Sequence, residues 1–108
     1  MGTRENKVET YFASSIKKLG GLVYKWVSPG KRGVPDRIAI VPKDKQCPCC
    51  GATADIYFPE IKTEDGVVAP EQTREIVRLT THGANAYVLF GISDIDNLVE
   101  KIKIKKCS

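Results

Sequence analysis

Residues 70–83 constrain the fold of this chain more than any other stretch. Pro70 suits the first turn of a helix, and Ile76, Val77 and Leu79 supply an apolar face that ends near Gly83. β-rich runs stand on either side, over residues 55–62 and 86–90. A helix set between two strands of one sheet is a crossover. It makes the strands parallel neighbours and the connection right-handed.

The remaining elements fall around this unit. Val8, Tyr11, Phe12, Ile16 and Leu19 recur at steps of mostly three and four, which predicts a helix over 4–19. Thr3 can cap its start and Gly20-Gly21 stop it. Residues 22–28 are rich in Val, Tyr and Trp and read as a strand. Residues 29–35 hold two glycines, two prolines and two basic residues and read as a loop. A short strand over 38–41 is closed by Pro42. The polar, cysteine-rich residues 43–54 then form an elaborated hairpin tip. Ser93 is the expected cap of a last helix, with Asp96 as its capping-box partner and Ile95, Leu98, Val99 and Ile102 on its inner face. The predicted order is helix, three strands, helix, strand, helix. The first three strands form a meander and the fourth joins in parallel, which gives an α/β fold at the border with α+β. At 108 residues the chain is read as one domain with a Cys-rich hairpin insertion. A core of that size favours help from a dimer interface or a bound metal.

Composition excludes little. A net charge of +4 is too mild to argue nucleic-acid binding by itself. Lys101, Lys103, Lys105 and Lys106 give the tail a basic end, which also suits a helix C-terminus. No apolar run approaches the roughly 20 residues that span a bilayer, and the N-terminus lacks the apolar segment of a signal peptide. The expectation is an intracellular, cytoplasmic protein, in the host cell if it is viral. In a reducing compartment its four cysteines are thiols or metal ligands.

The chemistry lies in two short segments, Gly33-Val34-Pro35-Asp36 and Pro59-Glu60-Ile61-Lys62. Each places an acid where a loop meets a strand. Side chains alternate along a strand, so Glu60 and Lys62 share a face, about 6.6 Å apart at roughly 3.3 Å per residue. Pro35 biases Val34 toward extended backbone, which presents Asp36 at the rim of the sheet. Two carboxylates from adjacent strands can share one octahedral cation at about 2.0–2.1 Å, while the lysine reaches a water or a phosphate oxygen. Alone, Glu60-Ile61-Lys62 would be a solvated strand face and Gly-x-Pro-Asp an ordinary turn; their joint placement argues for more. Lys31, Arg32 and Arg37 flank Asp36 and suit the phosphates of DNA. Pro59 has no N–H to give a ladder, so a bulge or an unpaired side is expected there. Tyr24 and Trp26 alternate onto one face and read as core or interface residues.

Gly33-Val34-Pro35-Asp36, Glu60-Ile61-Lys62, Gln72 after Pro70-Glu71, then Gly83 and Tyr87-Val88-Leu89-Phe90 resemble the virus-type replication–repair nuclease (VRR-Nuc) domain of the PD-(D/E)XK nuclease superfamily. The resemblance runs from about residue 8 to 102. It implies a restriction-endonuclease-like α-β-β-β-α-β core, with a mixed sheet flanked by helices. It implies that Asp36 and Glu60 hold Mg²⁺ or Mn²⁺, and that Lys62 positions or deprotonates the attacking water. It adds Glu9 as a further metal ligand and Gln72 as a helical residue at the catalytic site. Small stand-alone members resemble Holliday-junction resolvases, which implies a homodimer acting on branched DNA in repair. A surface glutamate near a helix N-terminus is the ordinary alternative for Glu9, and an exposed first-turn residue that for Gln72.

The run Cys47-Pro48-Cys49-Cys50-Gly51 contains half of a zinc ribbon, in which Cys47 and Cys50 can chelate structural Zn²⁺. Cys49, Cys107 and His82 are further ligand candidates without matching knuckle spacing. His82, just before Gly83, reads as a helix-end residue rather than a catalytic one. The expected activity is metal-dependent hydrolysis of DNA phosphodiesters. The alternatives are a flap or fork nuclease subunit, and a non-catalytic binding module carrying a zinc knuckle.

Overall fold

The computed structural model describes residues 4–43 and 45–104. Thr3 and Lys105, Lys106 and Cys107 therefore lie outside the described residues. The elements are α1 (Arg4–Lys18), β1 (Leu22–Lys25), β2 (Arg37–Pro42), β3 (Ala54–Lys62), α2 (Pro70–Thr81), β4 (Asn85–Phe90) and α3 (Gly91–Ile104). They build one sheet in the order β1-β2-β3-β4. The first two pairings are antiparallel, and β3 and β4 are parallel across α2. Three helices on a four-stranded mixed sheet agree with the expected α+β-border architecture.

Strand alternation sorts the sheet into two faces. Ala39, Val41, Tyr57, Ile61 and Leu89 point to one side and pack with Val8, Phe12 and Ile16 of α1 and Ile95 and Leu98 of α3. This is the apolar core. Tyr11 Oη donates to Asp96 Oδ1 at 2.5 Å and ties α1 to α3. Glu60 belongs to the opposite face, the side of α2. Among the described residues no helix is long and apolar enough to cross a membrane.

Several local expectations change. β1 ends at Lys25 rather than near residue 28, although Trp26 N–H still donates to Asp36 C=O at 3.0 Å. Pro59 causes no bulge. Its register with β4 is unbroken, Pro59 pairing with Tyr87, and the ladder between β2 and β3 stops at Tyr57. The missing N–H therefore falls beyond the end of that ladder. Ser93 does not cap α3. The helix starts directly at Gly91, and Asp94 Oδ2 accepts the Phe90 N–H at 2.9 Å. Val77 is 59% exposed, and Glu75 takes the inward position on α2.

Tyr57 is 1% exposed, and burial pushes its phenol from 10.0 up to about 12. The folded state holds this proton more tightly than the unfolded chain. The associated stability is intact below pH 10 and is lost as pH rises to about 12. A shift of this size amounts to about 3 kcal/mol. Tyr57→Phe should remove that alkaline loss. Melting curves followed by circular dichroism through this pH window should fall less steeply for the variant than for the wild type.

Candidate active site

β2 and β3 form a hairpin with a tip and an open end. Pro42 pairs with Ala54 at the tip, and Ala39 with Tyr57 is the last pair toward the open end. The ladder itself ends there, but the same register continued by three residues would bring Asp36 level with Glu60. Opposed residues of an antiparallel pair point to the same face. Asp36 is held in this line by β1, through its carbonyl bond from Trp26 N–H. Trp26 packs on Phe58 at a centroid distance of 5.4 Å, just beside the acids.

The loop that delivers Asp36 is pinned to α2. Gly33 has φ +84, and a Cβ there would lie 2.3 Å from the carbonyl oxygen of Glu71. Only glycine gives both that backbone and that approach. The contact sets the start of β2 beside the N-terminus of α2, where Gln72 sits. Gln72 works at both ends of its amide. Its Oε1 accepts the Ala69 N–H at 2.9 Å, which caps the helix. Its Nε2 donates to Glu60 Oε2 at 3.1 Å.

Glu60 is 3% exposed. A carboxylate so buried needs partners, and it has Gln72 and the Lys62 ammonium at 3.5 Å. Asp36 presents the complementary feature. Its Oδ1 is buried and accepts no hydrogen bond, while its Oδ2 lies 3.9 Å from Arg37 Nη1. A buried carboxylate oxygen without a donor, in register line with the buried Glu60 carboxylate, fits a hard divalent cation bound through oxygen. Asp36 and Glu60 are thus the residues that could hold one.

Glu9 is engaged elsewhere: its Oε2 lies 3.0 Å from Arg37 Nη2. Arg37 also donates to the Asp36 carbonyl at 3.0 Å, so it links α1 to the start of β2. Among the described residues, Glu9, Asp36 and Glu60 do not gather within 4.8 Å of one another. Arg37 is thus occupied by intramolecular partners instead of projecting free toward a phosphate. Lys31 lies 3.5 Å from Glu75, and Arg32 is exposed.

No family model matches the sequence. "Putative nuclease p44" of Acyrthosiphon pisum secondary endosymbiont phage 1 is 40% identical over 86 residues, which cover 80% of this chain and 82% of that protein. A solved structure described as "VRR_NUC domain" superposes with a TM-score of 0.76 at 34% identity, covering 92% of this chain and 97% of the other. The chain belongs to the VRR-Nuc family of nucleases.

Two further groups of side chains stand out in this VRR-Nuc chain. The first is a basic groove between the loop and α2, in which Arg74 and Arg78 join Lys31 and Arg32. Arg74 and Arg78 are four residues apart on an exposed helix face, a spacing that would have marked them. The second is the cysteine turn. Cys47, Cys49 and Cys50 form no disulfide, and Cys49 joins the pair suggested by knuckle spacing. Hydrogen bonding from the Cys49 side chain, then from the Cys50 and Cys49 amides, lowers the Cys47 thiol from 9.0 to about 6. His82 stays out of this cluster. It caps α2, with its Nδ1 2.7 Å from the Arg78 carbonyl.

Proposed function

We propose that this VRR-Nuc protein is a Mg²⁺- or Mn²⁺-dependent endodeoxyribonuclease that acts on branched DNA as a homodimer. The observation that carries the reading is the unsatisfied, buried Asp36 Oδ1, with buried Glu60 in line with it by strand register. Asp36 and Glu60 would hold the cation, with Glu9 joining if Arg37 swings toward a phosphate. When bound, the cation supplies Lewis acidity and offsets the charge that develops on the phosphoryl group.

The chain's own residues account for the rest. Lys62, on the same strand face as Glu60, holds a water or a non-bridging phosphate oxygen in place, and its positive charge favours the transition state over the ground state. Gln72 fixes the Glu60 carboxylate so that its geometry is set before substrate arrives. Arg32, Arg74 and Arg78 line the groove through which a DNA backbone reaches the acids. A symmetric pair of such sites can cut both strands of a four-way junction. The Cys47–Cys50 turn is read as a separate, structural metal site on an insertion within a single nuclease domain.

The test is cleavage of synthetic four-way, flap and linear DNA with Mg²⁺, Mn²⁺ or EDTA, with the oligomer measured by light scattering. Junctions should be cut only with added cation, and by a dimer. Lys62→Ala should lose roughly 10²-fold or more in rate while still binding DNA. Cleavage that persists in EDTA would reject the metal reading. Preferential cutting of flaps would replace the junction reading.

A further inference from the structure

The two faces of the sheet are covered unequally. α1 and α3 pack on the core side, and α2 lies against β4 on the other. The β1–β3 part of that second face opens to solvent, and its side chains are apolar. Leu22, Ile40 and Ile56 form one row across the three strands. Tyr24 and Ile38 pair in the next row, and Phe58 follows Ile56 on the same face. Trp26 reaches Phe58 across β2, ring to ring at 5.4 Å. Leu22 and Tyr24 are each 54% exposed, and Ile56 is 46% exposed. Neither row holds a charged side chain. Asp36, whose carbonyl accepts the Trp26 N–H, begins the row beyond them.

We propose that two copies of this chain stack these faces on each other, which rests on the homodimer proposed above and gives it a surface. The exposed apolar area is on the order of 400 Å², the scale at which such a patch marks an interaction site. It supplies about half of the roughly 800 Å² that each partner buries in a stable complex. That is the share expected of an apolar centre inside a polar rim. A pleated face is broad and shallow, and its complement is another such face stacked about 10 Å away. The chain itself offers one, and a two-fold pairing is self-complementary. Each copy carries a net charge of +4, so two copies meet with least repulsion where neither presents a charge. The same neutrality sets the patch apart from the basic groove, which suits a polyanion. A second copy seated here also holds Trp26 in place, and with it the end of β1 that supports Asp36.

The test is sedimentation equilibrium of the full chain over a range of concentrations. The wild type should be a dimer, and Tyr24→Lys and Ile56→Lys should each raise its dissociation constant at least about tenfold. Both positions are exposed in the single chain, so circular dichroism should show an intact fold. Val77→Lys, at an exposed apolar position on α2, is the control and should leave the dimer unchanged. Trp26 is the single tryptophan, so its fluorescence reports on this face and needs no variant. Its emission should shift to the red, and acrylamide quench it more, as the wild type is diluted into monomers. A dimer that persists in both folded variants, or Trp26 emission unchanged by dissociation, overturns this surface and leaves the homodimer standing. A wild type that is monomeric throughout overturns the homodimer and the surface with it. Persistent dimers with weakened binding of single-stranded DNA would assign the face to nucleobases instead.

Discussion

Asp36→Asn is expected to lower DNA cleavage by about 10³-fold or more, equivalent to about 4 kcal/mol of transition-state stabilisation, without lowering the stability of the protein. The two halves of this result have one cause. Asp36 Oδ1 is buried and accepts no hydrogen bond in the folded chain. Such a group costs about 1–3 kcal/mol, and the uncharged amide is cheaper to bury. The variant should therefore melt at the wild-type temperature or above it in metal-free buffer. DNA binding should persist or tighten, because a negative charge has been taken away from the phosphate path. Cleavage rates, metal-free melting curves and fluorescence anisotropy with a labelled junction measure the three quantities. A clear drop in melting temperature would make Asp36 a structural residue and its loss of cutting a secondary effect. Added Mg²⁺ should raise the melting temperature of the wild type and not that of the variant.

Gly33→Ala is expected to be the most damaging small substitution in the chain. A Cβ at this position meets the Glu71 carbonyl oxygen at 2.3 Å, and the backbone φ is +84. The contact is backbone against side chain, so no rotamer change relieves it. The backbone term alone is on the order of 1–3 kcal/mol, and the collision adds to it. If the chain stays folded, the loop must lift from α2 and carry Asp36 away from Glu60, which costs activity as well. Chemical denaturation should show a loss of about 2 kcal/mol or more, with cleavage falling further than the folded fraction. Gly30→Ala is the control. A Cβ there meets nothing within 4 Å, and both stability and cutting should be nearly unchanged.

The fold was legible wherever periodicity carried the signal. The stripe of Val8, Phe12 and Ile16 and that of Ile95 and Leu98 both reach the core. The crossover through Pro70 produced the parallel pair of β3 and β4. Periodicity failed where another force set the orientation. Val77 is exposed because α2 turns Glu75 inward, where it lies 3.5 Å from Lys31. α3 needs no Ser93 cap because β4 runs straight into it at Gly91, whose φ of +77 makes the corner. The acids themselves were legible as motifs, but their alignment was not. A short turn fixes the register of a hairpin, and this connector is too long to do so. That Gln72 holds Glu60, that Arg37 is spent on Glu9, and that Gly33 docks on Glu71 are all contacts between segments remote in sequence.

The course of the chain also gives the molecule an electrical polarity. α1 runs toward Leu22, which pairs with Ile40 near the tip of the hairpin. α2 starts where Gly33 docks, and α3 starts after Phe90, which pairs with Lys62. All three helices therefore begin at the end that carries Asp36 and Glu60, and each brings roughly half a positive charge of peptide dipole there. Part of the pull on a polyanion is thus written into the main chain and cannot be mutated away. Neutralising Arg32, Arg74 and Arg78 together should flatten the salt dependence of binding without abolishing it.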